Sequence, residues 1–402
     1  MPYDVAAVRA HFPALQEGAA HFDGPGGTQT PDTVARAVAE TLASAVANRG
    51  TVTPAEHRAE EIVVAARAAM GDLFALDPGG IVFGRSATEL TFVIARTLSA
   101  GWGPGDEVVV SRLDHDANVR PWVIAAEQSR ATVRWVAFDP DTGELAPDHV
   151  AAVVGPRTRL VAVTAASNLI GTRPDLPAIA AVAHEVGAQL YVDGVHATAH
   201  VLPDVAASGT DFWVCSPYKF LGPHVGVLGA QPSTLEPLRP AKLVPSTDAV
   251  PERFELGTLP YELLAGATAA VDFLADLAPV DPAARRRDRL VSSYAALEAH
   301  EDGLLAWLEP RIRELPGVTV HSNARRRTPT LLFTADHVPP QAIRQALAEA
   351  GVNAPAGNFY AWETSHHLGL GAAGGVRAGL APYTDQSDVE RLIDGLTEVL
   401  HR

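Results

Sequence analysis

The chain is poor in the groups that disulfide, soft-metal and amine chemistry require. One cysteine, Cys215, stands among 402 residues, so no intramolecular disulfide and no cysteine-ligated metal cluster can be built. No metal site of any kind is expected. Lysine occurs only twice, as Lys219 and Lys242. Basic residues number 31 against 47 acidic ones, a formal net charge of -16. A surface that acidic repels phosphate backbones and anionic headgroups, so neither nucleic acid nor membrane is expected as a partner. No apolar run reaches the roughly 18 residues that span a bilayer. The opening Met1-Pro-Tyr-Asp-Val5 has neither a basic n-region nor an apolar h-region, which predicts no secretion signal and a cytoplasmic location. What remains is ordinary for a globular chain: 47% apolar and 19% charged residues rule out wholesale disorder. The composition points to an enzyme.

A length of 402 residues exceeds one ordinary core and predicts two domains. Between Gly79 and Gln231, short β-rich runs alternate with amphipathic stretches. Gly80–Phe83, Glu107–Ser111, Thr132–Ala137, Leu160–Thr164, Gln189–Asp193 and Asp211–Cys215 read as strands. Ala117–Gln128 and Leu176–Val186 between them read as helices. That alternation predicts a largely parallel sheet covered on both faces. Pro31–Val46, Pro54–Phe74, Leu263–Leu277 and the charged stretch Pro282–Leu315 read as helices flanking this block. The tail changes character, with strands at Val318–His321, Pro329–Phe333 and Val376–Ala381 and helices at Pro340–Ala350 and Gln386–Leu400. The expected division is a large domain over residues 15–280 and a small α+β domain from residues 1–14 and 281–402.

Two adjacent strand ends carry the most informative chemistry: Tyr191-Val-Asp-Gly-Val-His196, and Trp213-Val-Cys-Ser-Pro-Tyr-Lys219. Carboxyl ends of strands in an open α/β sheet face the ligand crevice. An Asp193 and a Lys219 placed there suit pyridoxal phosphate. The carboxylate can keep a pyridine nitrogen protonated, and the amine can form a Schiff base and later carry the substrate's α-proton. A buried salt bridge or a surface lysine after a turn is the competing explanation. Gly84-Arg-Ser-Ala-Thr-Glu89 follows a strand and opens a helix, as a phosphate cradle does; an ordinary N-cap, with Glu89 completing a capping box from Ser86, would look the same. His115 follows another strand end and could stack on a flat cofactor and relay protons. Asn168, in Ser167-Asn-Leu-Ile-Gly-Thr172, could bond a cofactor oxygen or a substrate carboxylate, or merely satisfy its own turn.

Taken in order, these motifs resemble the class V aminotransferase family of fold-type I pyridoxal-phosphate enzymes, in its cysteine desulfurase and selenocysteine lyase branch. The resemblance runs from Phe22-Asp-Gly-Pro-Gly-Gly-Thr-Gln29 through Ala87-Thr-Glu89, His115-Asp-Ala-Asn-Val-Arg-Pro-Trp122, Asp193-Gly-Val-His196, Ser216-Pro-Tyr-Lys219 and Phe254-Glu-Leu-Gly-Thr258 to Arg377-Ala-Gly-Leu-Ala-Pro-Tyr383. It implies an α/β fold with a mostly parallel seven-stranded sheet, pyridoxal 5'-phosphate as cofactor, an amino-acid substrate and a homodimer. Carried over by position, Lys219 is the Schiff-base lysine, Asp193 the pyridinium partner and His115 the ring-stacking histidine. Ala87, Thr88 and Ser216 hold the phosphate, and Thr258 reaches the phosphate of the neighbouring subunit's cofactor. Arg377 grips the substrate α-carboxylate with help from Asn168, since a guanidinium pairs a carboxylate through two parallel bonds.

Three departures from the family pattern stand out. His196 replaces the usual Gln and Tyr218 the usual His; both can still donate a hydrogen bond to the cofactor. The segment Val352–Tyr360 aligns with the desulfurase loop that carries the sulfur-accepting cysteine, whose place falls at or near Tyr360. Cys215 lies on a strand and is expected to be buried. The expected reaction therefore proceeds through an external aldimine and α-proton abstraction to β-elimination, a C–S or C–Se lyase without a persulfide, with Asn358, Phe359 and Tyr360 at the substrate entrance. Transamination or epimerisation is the alternative, and a non-catalytic scaffold a third.

Overall fold

The protein is described by a computed structural model over residues 3–279 and 281–401. Residue 280, where the large domain is expected to end, lies outside these, as do Met1, Pro2 and Arg402. The strands are β1 Ala20–His21, β2 Ile81–Gly84, β3 Glu107–Ser111, β4 Thr132–Val136, β5 Thr158–Thr164, β6 Gln189–Asp193, β7 Phe212–Cys215, β8 Gly226–Ala230, β9 Val318–Val320, β10 Thr330–Ala335, β11 Val352–Asn353, β12 Ala356–Gly357 and β13 Gly375–Gly379.

Seven of them form one sheet in the order β2-β8-β7-β6-β5-β3-β4. Only β8 runs antiparallel to its neighbours. Period-two alternation sends Val109, Val161, Val163, Val192, Trp213 and Cys215 into one apolar layer. The intervening Val108, Val110, Ala162, Tyr191, Phe212 and Val214 enter the layer on the other face. Both faces are therefore dry at β3, β5, β6 and β7, which is why those strands read as apolar runs, whereas the edge strand β4 leaves Thr132 and Arg134 exposed. The sequence reading did not single out β8, whose glycines weaken strand propensity. Gly226 is required there: a Cβ would stand 2.3 Å from the backbone of Ser86, at the turn that opens the helix Ala87–Ser99.

The tail builds a second sheet, β12-β13-β10-β9, antiparallel throughout. Its core includes Leu304, Leu308, Ile312, Phe333, Ile343, Val376 and Leu392. Amino-terminal residues split between the two units. Val8 and Phe12 pack into the large core, while β1 pairs with β11 and Phe22 joins the tail core. Arg9 also reaches the tail, ion-paired to Asp385 at 3.1 Å and Asp388 at 2.5 Å. The helix Arg286–Glu314 runs along both units: Leu290, Tyr294 and Leu297 serve the large core, and Leu304 to Ile312 the smaller one. Between those two sets lies Glu301, 1% exposed, which accepts a bond from His200 Nδ1 at 3.0 Å. No helix among the described residues is long and apolar enough to cross a membrane.

Candidate active site

In chain order the strands move outward from β3 to β4, then return across β3 to β5, β6 and β7. At that reversal the carboxyl ends of β3, β5, β6 and β7 open onto a cleft of about 700 Å³, the position at which open α/β sheets bind ligands. Arg377 enters the cleft from β13 of the other sheet.

At one end lies the amino terminus of the helix Ala87–Ser99. Ser86 caps it by accepting from the Glu89 N–H at 3.1 Å. Glu89 bonds the N–H of Arg85 at 2.7 Å, one residue before the position a capping box requires. Ser216 Oγ accepts from the Ala87 N–H at 3.3 Å, bringing a hydroxyl to the positive end of the helix dipole.

The floor carries Asp193 and Lys219. Asp193 Oδ1 accepts from the Val195 N–H at 2.9 Å, and Gly194 must lack a side chain because a Cβ would stand 2.1 Å from the Trp213 indole. Burial raises the Asp193 carboxyl to about 6, against the opposing pull of the Val195 N–H and the Lys219 ammonium. Lys219 Nζ donates to the Pro25 carbonyl at 2.7 Å and sits 4.9 Å from the centre of the Tyr218 ring. Burial, then the nearby Arg377, lowers its pKa to about 7, with Asp193 opposing. The amine is thus partly unprotonated near neutral pH.

His115 Nδ1 accepts from the Ala117 N–H at 3.0 Å, so the neutral ring carries its proton on Nε2. Burial, Lys219 and Arg377 lower its pKa to about 4 and keep it neutral. Behind it Asp114 accepts from Ser111 and, at 2.7 Å, from Asn118 Nδ2; burial raises this carboxyl to about 8. His196 Nε2 lies 2.9 Å from Thr328 Oγ1 and 3.0 Å from Thr330 Oγ1, and its ring packs edge-on against His200. Tyr218 stacks on His224, ring centres 4.6 Å apart.

The mouth is closed on one side by the segment from Gly357 to Ala361. Phe359 and Tyr360 both hold positive φ, 52° and 59°, which an L-residue adopts at a cost of roughly 1–2 kcal/mol. Two bonds pin them: Asn168 Nδ2 donates to the Phe359 carbonyl at 3.0 Å, and the Asp116 N–H to the Tyr360 carbonyl at 2.7 Å. The Tyr360 ring stacks on His115, and the Arg377 guanidinium lies 3.7 Å from the centre of the Phe359 ring. Arg377 Nη1 donates to the Asn168 carbonyl at 2.8 Å, and burial lowers its pKa to about 9.

Ala87, Thr88, His115, Asn168, Asp193, His196, Ser216, Tyr218, Lys219, Tyr360 and Arg377 all line this cleft. Two expected residues do not. Asn358 turns away from the entrance: its Nδ2 donates to the Ala372 carbonyl at 3.2 Å and its Oδ1 accepts from the Tyr360 N–H at 3.1 Å, so it braces the loop. Thr258 is exposed and outside the cleft of its own chain. Phe359, expected at the substrate entrance, lines the cleft as well, whereas Pro25, Phe92, Val195 and the Asp116–Arg120 pair line it without having been assigned a role from the sequence. Only Asp116 and Arg120 carried a signal, opposite charges four residues apart.

Cys215 is fully buried at the end of β7, and burial together with Asp193 raises its thiol pKa well above the ordinary value. Two polar atoms in the cleft wall are buried without a protein partner, Asn168 Oδ1 and Arg377 Nε. An N–H-rich helix end with a hydroxyl, a buried carboxylate, a partly neutral amine and these orphaned atoms fit a flat phosphate ester with a protonatable ring nitrogen and an aldehyde. Pyridoxal phosphate is such a molecule, and the sheet with its cleft has the fold-type I architecture.

The class-V aminotransferase family model matches residues 20–392. The chain is 34% identical over 403 residues to the uncharacterized protein MT3887 of Mycobacterium tuberculosis (99% of this chain, 100% of that one). It is 30% identical over 411 residues to a probable cysteine desulfurase of Pseudomonas aeruginosa (98% and 97%). Among solved structures it superposes on the cysteine desulfurase CsdA of Escherichia coli with a TM-score of 0.86 at 28% identity, covering 99% of both chains. The chain belongs to the class-V aminotransferase family, and it is a pyridoxal-phosphate-dependent enzyme.

Proposed function

We propose that this enzyme removes a β-substituent from an α-amino acid, as a C–S or C–Se lyase that passes no sulfur to a protein thiol. The observation that carries this reading is the pairing of an intact amine and carboxylate floor with a mouth whose loop presents Tyr360, not a thiol. Cys215, the one cysteine of the chain, is sealed beneath the sheet end. A buried thiol with a raised pKa is a poor nucleophile and a poor sulfur acceptor.

Bound in the cleft, pyridoxal phosphate supplies an electron sink conjugated to the substrate's α-carbon. Ser216, Thr88 and the Ala87 end of the helix would hold its phosphate, Asp193 its ring nitrogen and Lys219 its aldehyde end. Arg377 then holds the substrate carboxylate: its charge is buried and its Nε lacks a protein partner, so a carboxylate gives it a charge-assisted pair at little cost in new desolvation. Asn168 keeps that guanidinium in place through its carbonyl and the adjoining loop through its amide. Lys219, with a pKa near 7, is poised to take a proton from the α-carbon at physiological pH. The Nε2–H of neutral His115 can donate a hydrogen bond to the departing group, while the proton that group takes up comes from the Lys219 ammonium. A homodimer in the cytoplasm completes the reading, with exposed Thr258, beside exposed Leu256, meeting the second copy.

The test is a screen of amino acids scored for pyruvate, released thiol or sulfide, keto acid and loss of chirality. Pyruvate with stoichiometric thiol or sulfide is the expected result. Keto acid retaining the substrate side chain, or racemised substrate, would overturn it.

A further inference from the structure

We infer that the group leaving Cβ is bulky and apolar, so that the substrate class is an S-substituted cysteine, a thioether carrying an alkyl or aryl group, rather than free cysteine. This rests on the lyase reading. Besides its polar floor, the cleft is lined by Phe92, Ala117, Pro121, Val195 and Tyr360, with the Phe359 ring against the Arg377 guanidinium. Charges at that rim are closed among themselves. Asp116 pairs with Arg120 at 2.9 Å, and Glu363 with Arg112 at 2.7 Å and Arg120 at 3.7 Å. Two cations face two anions, and His115 beside them is neutral, so no uncompensated charge is left to meet a carboxylate or ammonium on a side chain. The aromatic wall is also fixed in advance by the bonds from Asn168 and Asp116, which spares a ligand the cost of ordering it. A free thiol would cover almost none of this surface; an S-alkyl or S-aryl group buries it.

The step balances without a further reagent. The Cα–H and Cβ–S bonds break, the electron pair of the Cβ–S bond leaves with sulfur, and the thiolate takes up a proton. Addition of one water then gives pyruvate, ammonium and the intact thiol. No electron is gained or lost overall, and the thiol diffuses away whole, so no protein sulfur acceptor is needed.

The experiment compares S-benzylcysteine with cysteine on the holoenzyme. Binding is read from the change in the visible absorbance of the cofactor, and turnover from pyruvate and benzyl thiol. For S-benzylcysteine, half-saturation at lower concentration and kcat/KM higher by about tenfold or more are expected, the return from burying a few methylenes' worth of surface. Tyr360→Ala should bring the two substrates several-fold closer, chiefly through KM for S-benzylcysteine. Cysteine bound and turned over as well as S-benzylcysteine would overturn the assignment and leave the lyase standing. So would a Tyr360→Ala enzyme with an unchanged ratio. Absence of pyruvate from every amino acid overturns the lyase reading and the thioether chemistry with it; it is told apart from the first failure because binding selectivity is read separately.

Discussion

The floor and the mouth of the cleft are built by different means. Asp193, Ser216 and Lys219 hang from the ends of buried parallel strands, where sheet register fixes them: Asp193 pairs with Thr164 on one side and Val214 on the other. Phe359 and Tyr360 stand on a loop in a left-handed conformation, fixed by the side chain of Asn168 and the backbone N–H of Asp116, both distant in the chain. The proposed chemistry falls on the rigid part, and the proposed selectivity on the part that can change without unseating the sheet.

The largest effect is expected at the floor. Lys219→Ala should leave a folded protein with activity lost by several orders of magnitude and no borohydride-fixed pyridoxyl label at that position. Since Lys242 is the only other lysine, peptide mapping of the reduced wild type gives a binary answer. A label on Lys242 would remove Lys219 from the floor.

Next comes Asp193→Asn, which keeps the shape and removes the charge. Turnover should fall by about 10²–10³ while the visible band persists. The same substitution sharpens the contrast in the cofactor-free protein. Because the folded-state pKa of Asp193 is raised from 3.8 to about 6, stability is fullest below pH 4 and is eroded as pH rises through 6. Asp193→Asn abolishes that erosion, so the apo variant should melt a few degrees above apo wild type at pH 7.5 and no higher at pH 4. Equal melting points at pH 7.5 would mean the carboxylate is stabilised by something other than the cofactor.

A pH series examines Lys219 directly. Capture of pyridoxal phosphate by the apo protein needs the neutral amine. With the pKa lowered to about 7, the capture rate should climb tenfold per pH unit below 7 and level off above 8. A rate still climbing at pH 10 would indicate an ordinary exposed lysine.

The smallest effect is expected at Cys215. Its replacement by Ala removes one buried sulfur and should cost about 1 kcal/mol of stability, while most activity on any amino acid remains. A persulfide on Cys215 after incubation with cysteine, with sulfide release lost in the variant, would reverse the contrast and put sulfur transfer back into the floor.

Legibility in the sequence follows the same division. Strand ends were readable because buried parallel strands are short apolar runs, and a polar residue that ends one has few places to point. The helix Pro54–Phe74 and the strands Glu107–Ser111 and Gln189–Asp193 were readable to the residue. The mouth was not. Nothing local distinguishes Asn358, which braces the loop, from Phe359, which enters the cleft, because their orientations depend on Asn168 and Asp116, far away in sequence. Asp114 was equally silent: its carboxylate matters only because Ser111 and Asn118 enclose it. Thr258 stands on an exposed segment outside the cleft of its own chain, and no local pattern sets it apart from its neighbours.

The helix Arg286–Glu314 has a mechanical meaning. Its 29 residues make a rod of about 43 Å, riveted to the large core at one end and to the tail core at the other. Lys219 belongs to the first and Arg377 to the second, so the spacing between these two side chains is carried by one continuous helix. Glu301, clasped by His200, marks the point where the rod passes from one core to the other. His200 in turn packs edge-on against His196, a residue of the cleft wall.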